Sequence, residues 1–529
     1  MSDASIVLTG FMGTGKTSVG RAVAANLGRP FVDMDAVLEE RLGTTISAFF
    51  ATTGEAAFRA AESALVRELA MERGLIVATG GGALLAEENR RAFLEQGTVV
   101  LLTCAPEQLL RRLGGDGGRP LLAGSDPAAA IRRLLAKRQA AYDAIPLQLD
   151  TTHLTIAEAA ERVQRLAAAA AAGPLEVQAL PAGAGGYDVA LGEGLLGRSG
   201  PLWQALGLGP RAVVISEPRV RALHGATLET ALAAAGVQPY WIEAPSGEAA
   251  KTYPALLALY DGLLASGADR TTPVLALGGG ALSDSAGLAA ATWLRGLPWI
   301  VIPTTLLAQV DAGLGGKVAI DHPGGKNLIG AFYPPRLVLV DPGLLRTLPD
   351  EELRAGLAEV VKHGLIADPA LFEHLEAEGP EPLAWTIARA VRVKLGVVAE
   401  DPTERGRRAV LNLGHTVAHA LERATAFSWR HGDAVSIGLV AVTHLAVRLG
   451  VCEAGLEPRL IRLLEALGLP VRPPAIDPEV LWAAMASDKK RLGGVVRFVL
   501  PVRLGEVILY NGVTRADFCA AWNEVIANA

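Results

Sequence analysis

The chain has 529 residues, half of them hydrophobic, which exceeds what one hydrophobic core organises and divides it into two or three domains. A net charge of -6 and an aromatic content of 5% exclude a basic, base-stacking surface, and with it nucleic acid as a partner. Cys104, Cys452 and Cys519 form no CxxC pair, and no apolar run reaches the ~18–20 residues of a spanning helix, so a soluble, cytoplasmic protein without membrane attachment is expected.

Strand-like runs at Ser5–Leu8, Leu75–Ala78 and Val99–Thr103 are separated by helix-length segments. Residues 1–166 are therefore expected to form an α/β domain, a parallel sheet with helices on both faces. Directly after the first run, Gly10 to Thr17 fits GxxxxGK[ST]. In such a loop Gly13 and Gly15 turn backbone N–H groups toward phosphates, Lys16 neutralises charge, and the Thr17 hydroxyl sits on Mg²⁺. The motif requires a nucleoside triphosphate and leaves the acceptor open.

The strand ends that follow suit a small acidic polyol. Asp33 and Asp35 come after Phe31-Val32, spaced to divide magnesium and a substrate hydroxyl between them. Arg59 suits bidentate capture of a carboxylate, and Gly80-Gly81-Gly82 lets a ligand approach the backbone closely. Arg119 lies in the Gly-rich stretch Gly114–Pro120, which reads as a lid, and Arg138 and Tyr142 follow on a helix. In this order the set resembles the shikimate kinase family across nearly all of residues 1 to 165. The resemblance implies ATP-dependent, Mg-assisted phosphorylation of shikimate at its 3-hydroxyl. It assigns Gly13, Gly15, Lys16, Thr17 and Arg119 to ATP, with Lys16 and Arg119 catalytic. Asp35, Arg59, Gly81, Gly82 and Arg138 fall to shikimate, and Thr17 and Asp33 to Mg.

An alanine run ending in Gly173-Pro174 makes residues 167–174 the expected linker. Beyond it, runs at Ala212–Ile215, Val274–Leu277, Trp299–Ile302 and Leu337–Val340 alternate with helical stretches, after which the chain is mostly helical to about residue 470. An α/β lobe over 175–340 and a mostly α-helical lobe over 341–529 are expected. Gly278-Gly279-Gly280, leading to Asp284, forms a glycine turn at a helix mouth suited to pyrophosphate. Thr304 and Thr305 supply hydroxyls at a strand end, and Glu248 and Lys251 supply a carboxylate and an ammonium in one turn. Glu359, His415 and His431 are donors of the kind that leave a zinc position open to substrate. His419 shares a helix face with His415, and spacing alone leaves both as candidate ligands.

The wider pattern comprises Gln309-Val310-Asp311, Gly315-Gly316-Lys317, Gly325 to Gly330, Glu359 to Lys362, Leu413 to Thr416 and His431-Gly432. It resembles 3-dehydroquinate synthase from about 185 to 515. The resemblance implies NAD- and metal-dependent conversion of 3-deoxy-D-arabino-heptulosonate 7-phosphate to 3-dehydroquinate and phosphate. Glu359, His415 and His431 then hold Zn or Co. NAD falls to Glu248, Lys251, Gly279, Gly280, Asp284, Thr304, Thr305, Lys317 and Lys326. Substrate falls to Arg295, Asp311, Lys317, Asn327, Lys362, Lys394, Arg408, His419 and Lys489, with Asp311, Lys317, Lys362 and His419 catalytic. This density of cations matches a heptulosonate phosphate that carries both a carboxylate and a phosphate. A homodimer through this half is also implied.

Two positions depart from the family pattern: Ser216-Glu217-Pro218 replaces Asp-x-Asn, and Ser283 replaces a glycine before Asp284. A tighter pyrophosphate turn and weaker NAD binding are expected from them. The competing readings are another sugar phosphate cyclase or a metal-dependent polyol dehydrogenase in the second half, and a non-catalytic nucleotide sensor in the first.

Overall fold

The structure is a computed structural model that describes residues 3–113, 127–145, 147–152, 154–170, 187–206, 208–426, 428–489 and 496–527. Its first sheet contains β1 (Ile6–Gly10), β2 (Phe31–Asp33), β3 (Ile76–Ala78), β4 (Thr98–Thr103) and β5 (Leu147–Asp150). The order is β2-β3-β1-β4-β5 and every pairing is parallel. Alternation sends Leu8, Val100 and Leu102 into one core and Val7, Val99 and Leu101 into another. Because both faces are covered, these strands read in sequence as short continuous apolar runs. The carboxyl ends of β1, β2 and β3 bring the Gly10–Thr17 loop, Asp33 and Gly80–Gly82 to one rim, where open α/β sheets bind ligands.

Helix Ile156–Ala170 ends this part of the chain. Thr155 and Glu158 start it with a reciprocal capping box: the Thr155 N–H donates to Glu158 Oε2 at 2.8 Å, and the Glu158 N–H to Thr155 Oγ1 at 3.3 Å. Alanine is the strongest helix former, so the helix runs through Ala170 and takes up the first residues of the expected linker. Positions 171–174 lie outside the described residues.

The second sheet draws on β6 (Asp188–Leu191), β7 (Arg211–Ser216), β8 (Gln238–Glu243), β9 (Val274–Gly278) and β10 (Trp299–Pro303). Next come β11 (Lys317–His322), β12 (Gly325–Phe332) and β13 (Leu337–Val340). The sheet order is β6-β13-β10-β9-β7-β8, all parallel, while β11 and β12 form a separate antiparallel hairpin. The helical lobe is built around Asp350–Ala367, whose residues Ala355 to Ile366 are all buried, so its polar members Glu359 and Lys362 are carried into the interior. One hairpin, β14 (Phe498–Arg503) with β15 (Glu506–Tyr510), interrupts this lobe. The four buried residues that open β14 resemble a buried helix turn in sequence, which explains why periodicity does not reveal it. Among the described residues, no helix is long and apolar enough to cross a membrane.

Candidate active sites

At the rim of the first sheet, Gly13 and Gly15 take left-handed φ values of 81° and 97°, which bend the loop back over the start of helix Lys16–Leu27. Lys16 Nζ donates to the Gly10 and Phe11 carbonyls at 3.0 and 3.1 Å, so its ammonium lies inside the loop. The Thr17 hydroxyl donates to Asp33 Oδ2 at 2.9 Å, joining the two residues expected at magnesium. Asp33 also caps the helix that carries Asp35. Burial and the neighbouring Asp33 carboxylate raise the Asp35 carboxyl above its ordinary value, with Lys16 opposing. A proton acceptor for a hydroxyl gains basicity from that shift.

Arg59 pairs with the buried Glu62 at 2.7 Å and with Glu55 at 3.2 Å. A Cβ on Gly82 would lie 3.0 Å from Arg59 Nη1, so the glycine makes room for the guanidinium. Arg138 donates to the Gly81 carbonyl at 2.8 Å and covers the Phe11 ring at 5.0 Å. A Cβ on Gly80 would lie 2.7 Å from Asp35 Oδ1, so Asp35, Arg59 and Arg138 each stand against the Gly80–Gly82 backbone.

In the second half, His415 Nε2 and His431 Nε2 stand 3.3 and 3.4 Å from Glu359 Oε1. Donors 2.0–2.2 Å from a tetrahedral zinc are about 3.3–3.6 Å apart, so this spacing suits one divalent ion. The second ring nitrogens face acceptors: His415 Nδ1 lies 3.1 Å from the Leu413 carbonyl and His431 Nδ1 3.5 Å from Glu422 Oε1. Such partners fix a ligating imidazole's orientation and tautomer. His419 stands outside this triple and groups instead with Glu422 and His431; its side chain is exposed, and desolvation by the surrounding atoms, with His415 and His431 beside it, pushes its imidazole down to about 3.

Beside the triple lies a buried charge chain. Asp311, set on the π-helical turn Ala308–Ala312, accepts from Lys362 at 2.6 Å and from Lys394, while Lys362 also reaches Glu359. Burial opposes the ionised Asp311, but the two ammoniums outweigh it and hold the carboxyl well below its usual range. Burial pushes Lys394 down to about 8, and its proton is correspondingly easier to release near neutral pH.

The glycine turn lies at the end of β9, with Gly279 capping helix Gly280–Thr292. Lys251 pairs with Asp284 at 2.7 Å and also reaches Asn327. Burial raises the Asp284 carboxyl to about 6 against the pull of Lys251. Lys326 spans the cleft, 3.7 Å from Glu248 and 3.8 Å from Glu422.

The shikimate kinase family model matches residues 12–168, and the N- and C-terminal models of 3-dehydroquinate synthase match residues 241–355 and 356–491. The 3-dehydroquinate synthase of Neisseria gonorrhoeae is 47% identical over 331 residues, covering 61% of this chain and 92% of that relative. The chain belongs to the 3-dehydroquinate synthase family. Its N-terminal part is a shikimate kinase domain, so the chain is an enzyme with two catalytic domains. The synthase of Symbiobacterium thermophilum is 44% identical over 333 residues, covering 61% of this chain and 93% of its own. Among solved structures, 2-epi-5-epi-valiolone synthase from Streptomyces hygroscopicus subsp. jinggangensis, with NAD+ and Zn2+ bound, superposes with a TM-score of 0.61 at 32% identity. The match covers 65% of this chain and 97% of that one. A 2-deoxy-scyllo-inosose synthase complexed with carbaglucose-6-phosphate, NAD+ and Co2+ gives 0.58 at 27% identity, covering 64% and 97%.

In the synthase domain, the remaining residues expected at the site spread around the cleft. Lys317 at the start of β11 pairs with Glu404 of the helical lobe. Arg408 is buried and donates to the Pro402 and Gly315 carbonyls at 2.6 and 3.0 Å. Thr304 and Thr305 follow β10, and the Thr304 N–H donates to the Gly278 carbonyl at 3.0 Å, which ties the two strand ends. Arg295 is exposed on a left-handed turn, and among the described residues no hydrogen bond or ion pair joins it to the metal triple. Lys489 closes helix Pro478–Lys489 with its side chain outside the described residues, and Arg119 lies outside them altogether.

Both departures from the synthase pattern are absorbed inside the fold. Ser216 donates to the Leu277 carbonyl at 2.8 Å and Ser283 to the Gly279 carbonyl at 3.1 Å, so each hydroxyl is spent on backbone beside the turn. The sequence reading missed four polar residues. Arg112 joins the kinase phosphate loop to Thr151, and Glu62 anchors Arg59. Asn412 lines a cavity of about 140 Å³ with His415, His419 and Arg423, and Glu422 backs His431. Only Glu422 carries a sequence signal, lying three residues beyond His419 on one helix face.

Proposed function

We propose that this chain carries two reactions of chorismate biosynthesis: phosphorylation of shikimate by ATP at residues 1–166, and cyclisation of 3-deoxy-D-arabino-heptulosonate 7-phosphate to 3-dehydroquinate at residues 175–529. The observation that carries the synthase reading is the Glu359, His415 and His431 triple set against the Lys362–Asp311–Lys394 chain. Three neutral or anionic donors suit a zinc or cobalt ion, and the cations beside them suit an anionic substrate. Two solved relatives hold NAD+ together with Zn2+ or Co2+.

Bound there, the divalent ion supplies Lewis acidity toward a substrate oxygen, and NAD supplies a reversible hydride acceptor. The chain's own groups do the rest. Gly279 and the start of helix Gly280–Thr292 offer N–H groups to the pyrophosphate, with Lys251 held by Asp284 at the same turn. Lys394, Lys317 and Arg408 bind the substrate's anionic groups, and His419, which lines the same cavity as His415, is placed to hydrogen-bond the substrate near the metal position. In the kinase domain Lys16 and the loop N–H groups hold the triphosphate, Thr17 and Asp33 the magnesium. Arg59 and Arg138 hold the acceptor while Asp35 receives its hydroxyl proton. A homodimer through the synthase domain fits helix Tyr253–Ala265, which exposes Tyr253, Leu257 and Leu264.

The test is phosphate release from the heptulosonate phosphate with and without NAD and after chelation, run beside ATP-dependent phosphorylation of shikimate. Release that needs both NAD and metal, with no net NADH, supports the synthase. Accumulating NADH would identify a dehydrogenase, and no release from metal-loaded protein would point to a different cyclase substrate.

A further inference from the structure

Helix Ile156–Ala170 is the last described element of the kinase domain, and it has neighbours on two sides. One side lies on helix Lys16–Leu27, which begins at the phosphate loop, and the other on the short helix Gly200–Ala205 of the synthase domain. Buried apolar side chains form one continuous cluster between them. It runs from Val23 through Val163 and Leu166 to the fully buried Trp203, and onward to Leu277 in β9, the strand that ends at the synthase glycine turn. Alongside, Arg162 stands 3.9 Å from Asp188, the first residue of β6. Arg162 and Arg165 both act against the burial that raises the Asp188 carboxyl, so kinase cations complement a synthase anion at this wall.

Domains that move independently meet through smaller, more polar contacts and close their own cores. Here two cores merge. We propose that the kinase and synthase domains unfold as one cooperative unit, with helix Ile156–Ala170 as the wall they share. Loss of kinase packing then loosens the synthase domain, including the strand that presents its glycine turn.

The chain supplies its own reporter. All eight tryptophans lie between Trp203 and Trp522, so indole fluorescence follows the synthase domain alone. Phe93 is buried on the opposite face of the kinase sheet, in a core that contains kinase residues only. Phe93→Ala in the full chain therefore removes kinase packing at a distance from the shared wall. The expected result is a fall on the order of 5 °C in the thermal midpoint reported by tryptophan. A Trp203→Phe background removes the indole at the boundary, and the same fall should persist relative to that parent. An unchanged midpoint, whether or not the variant kinase domain folds, overturns the proposal. So does a shift that disappears with Trp203, because it reports a local disturbance.

Discussion

The rings of His415 and His419 stand one helical turn apart, 5.5 Å between centroids and nearly perpendicular at 89°. That orientation gives two residues that spacing treats alike different surroundings. His415 turns Nε2 to Glu359, whereas His419 stands outside the triple with its side chain exposed.

His415→Ala should therefore lose bound metal, while His419→Ala keeps the metal and loses turnover. Removing an outer partner of a ligating imidazole costs roughly 10–100-fold in metal affinity, so Glu422→Gln should fall between the wild type and His415→Ala. Metal content after gel filtration, measured beside phosphate release, checks all three. Equal metal loss in His415→Ala and His419→Ala would show that the ion sits elsewhere in the cluster.

Arg112 connects three parts of the kinase site. It donates to the Gly13 carbonyl at 3.3 Å, to Thr151 Oγ1 at 3.1 Å and to the Thr151 carbonyl at 2.6 Å, while the Thr151 hydroxyl lies 2.9 Å from the Thr14 carbonyl. Arg112→Ala should raise the KM for ATP about 5–10-fold, a discount on the usual worth of a charged hydrogen bond because the side chain is exposed. The KM for shikimate should stay within about twofold, since Arg112 touches none of the residues on that side. Steady-state kinetics with each substrate varied separates the two effects.

His444 clamps three helices. Its Nδ1 meets Glu457 at 2.8 Å and its Nε2 meets Glu524 at 3.0 Å on the C-terminal helix, with Arg448 also paired to Glu524. The hydrogen bond to Glu457, opposed by burial and assisted by Glu524, raises the imidazole above 6.5. A raised histidine contributes stability that is complete below its unfolded value and is lost as pH rises through the folded one. Glu524 is shifted downward, so its share is lost only in acid, as pH falls through its lowered value. Amide exchange in Arg515–Ala527, corrected for intrinsic rates, should be slower at about pH 6 than at about pH 9, and His444→Gln should flatten the difference. An unchanged profile in that variant would remove His444 from the account.

Much of the site was legible because chemistry that needs backbone N–H groups, an ammonium and a hydroxyl at fixed offsets is local in sequence. Gly13, Gly15, Lys16 and Thr17 fall within five consecutive positions of one turn, and the glycine turn of the synthase precedes a helix that starts at its own third glycine. The parallel strands were legible for a related reason, since burial on both faces leaves short apolar runs. The hairpins β11–β12 and β14–β15 were not, because neither shows clean alternation of apolar and polar residues.

The sequence by itself determined two glycine-rich turns that open helices, the carboxylate and imidazole residues that gather as Glu359, His415 and His431, and the α/β character of both sheets. All of these follow from residue type and spacing along one element. Tertiary structure alone decided that His415 rather than His419 faces Glu359, that Asp311 holds Lys362 and Lys394 together, and that Arg112 bridges Gly13 and Thr151, both far from it in the chain. It also decided that helix Ile156–Ala170 joins two cores. Those facts depend on which faces meet across long loops, and side-chain direction at such a meeting is set by packing against a partner element that local periodicity does not encode.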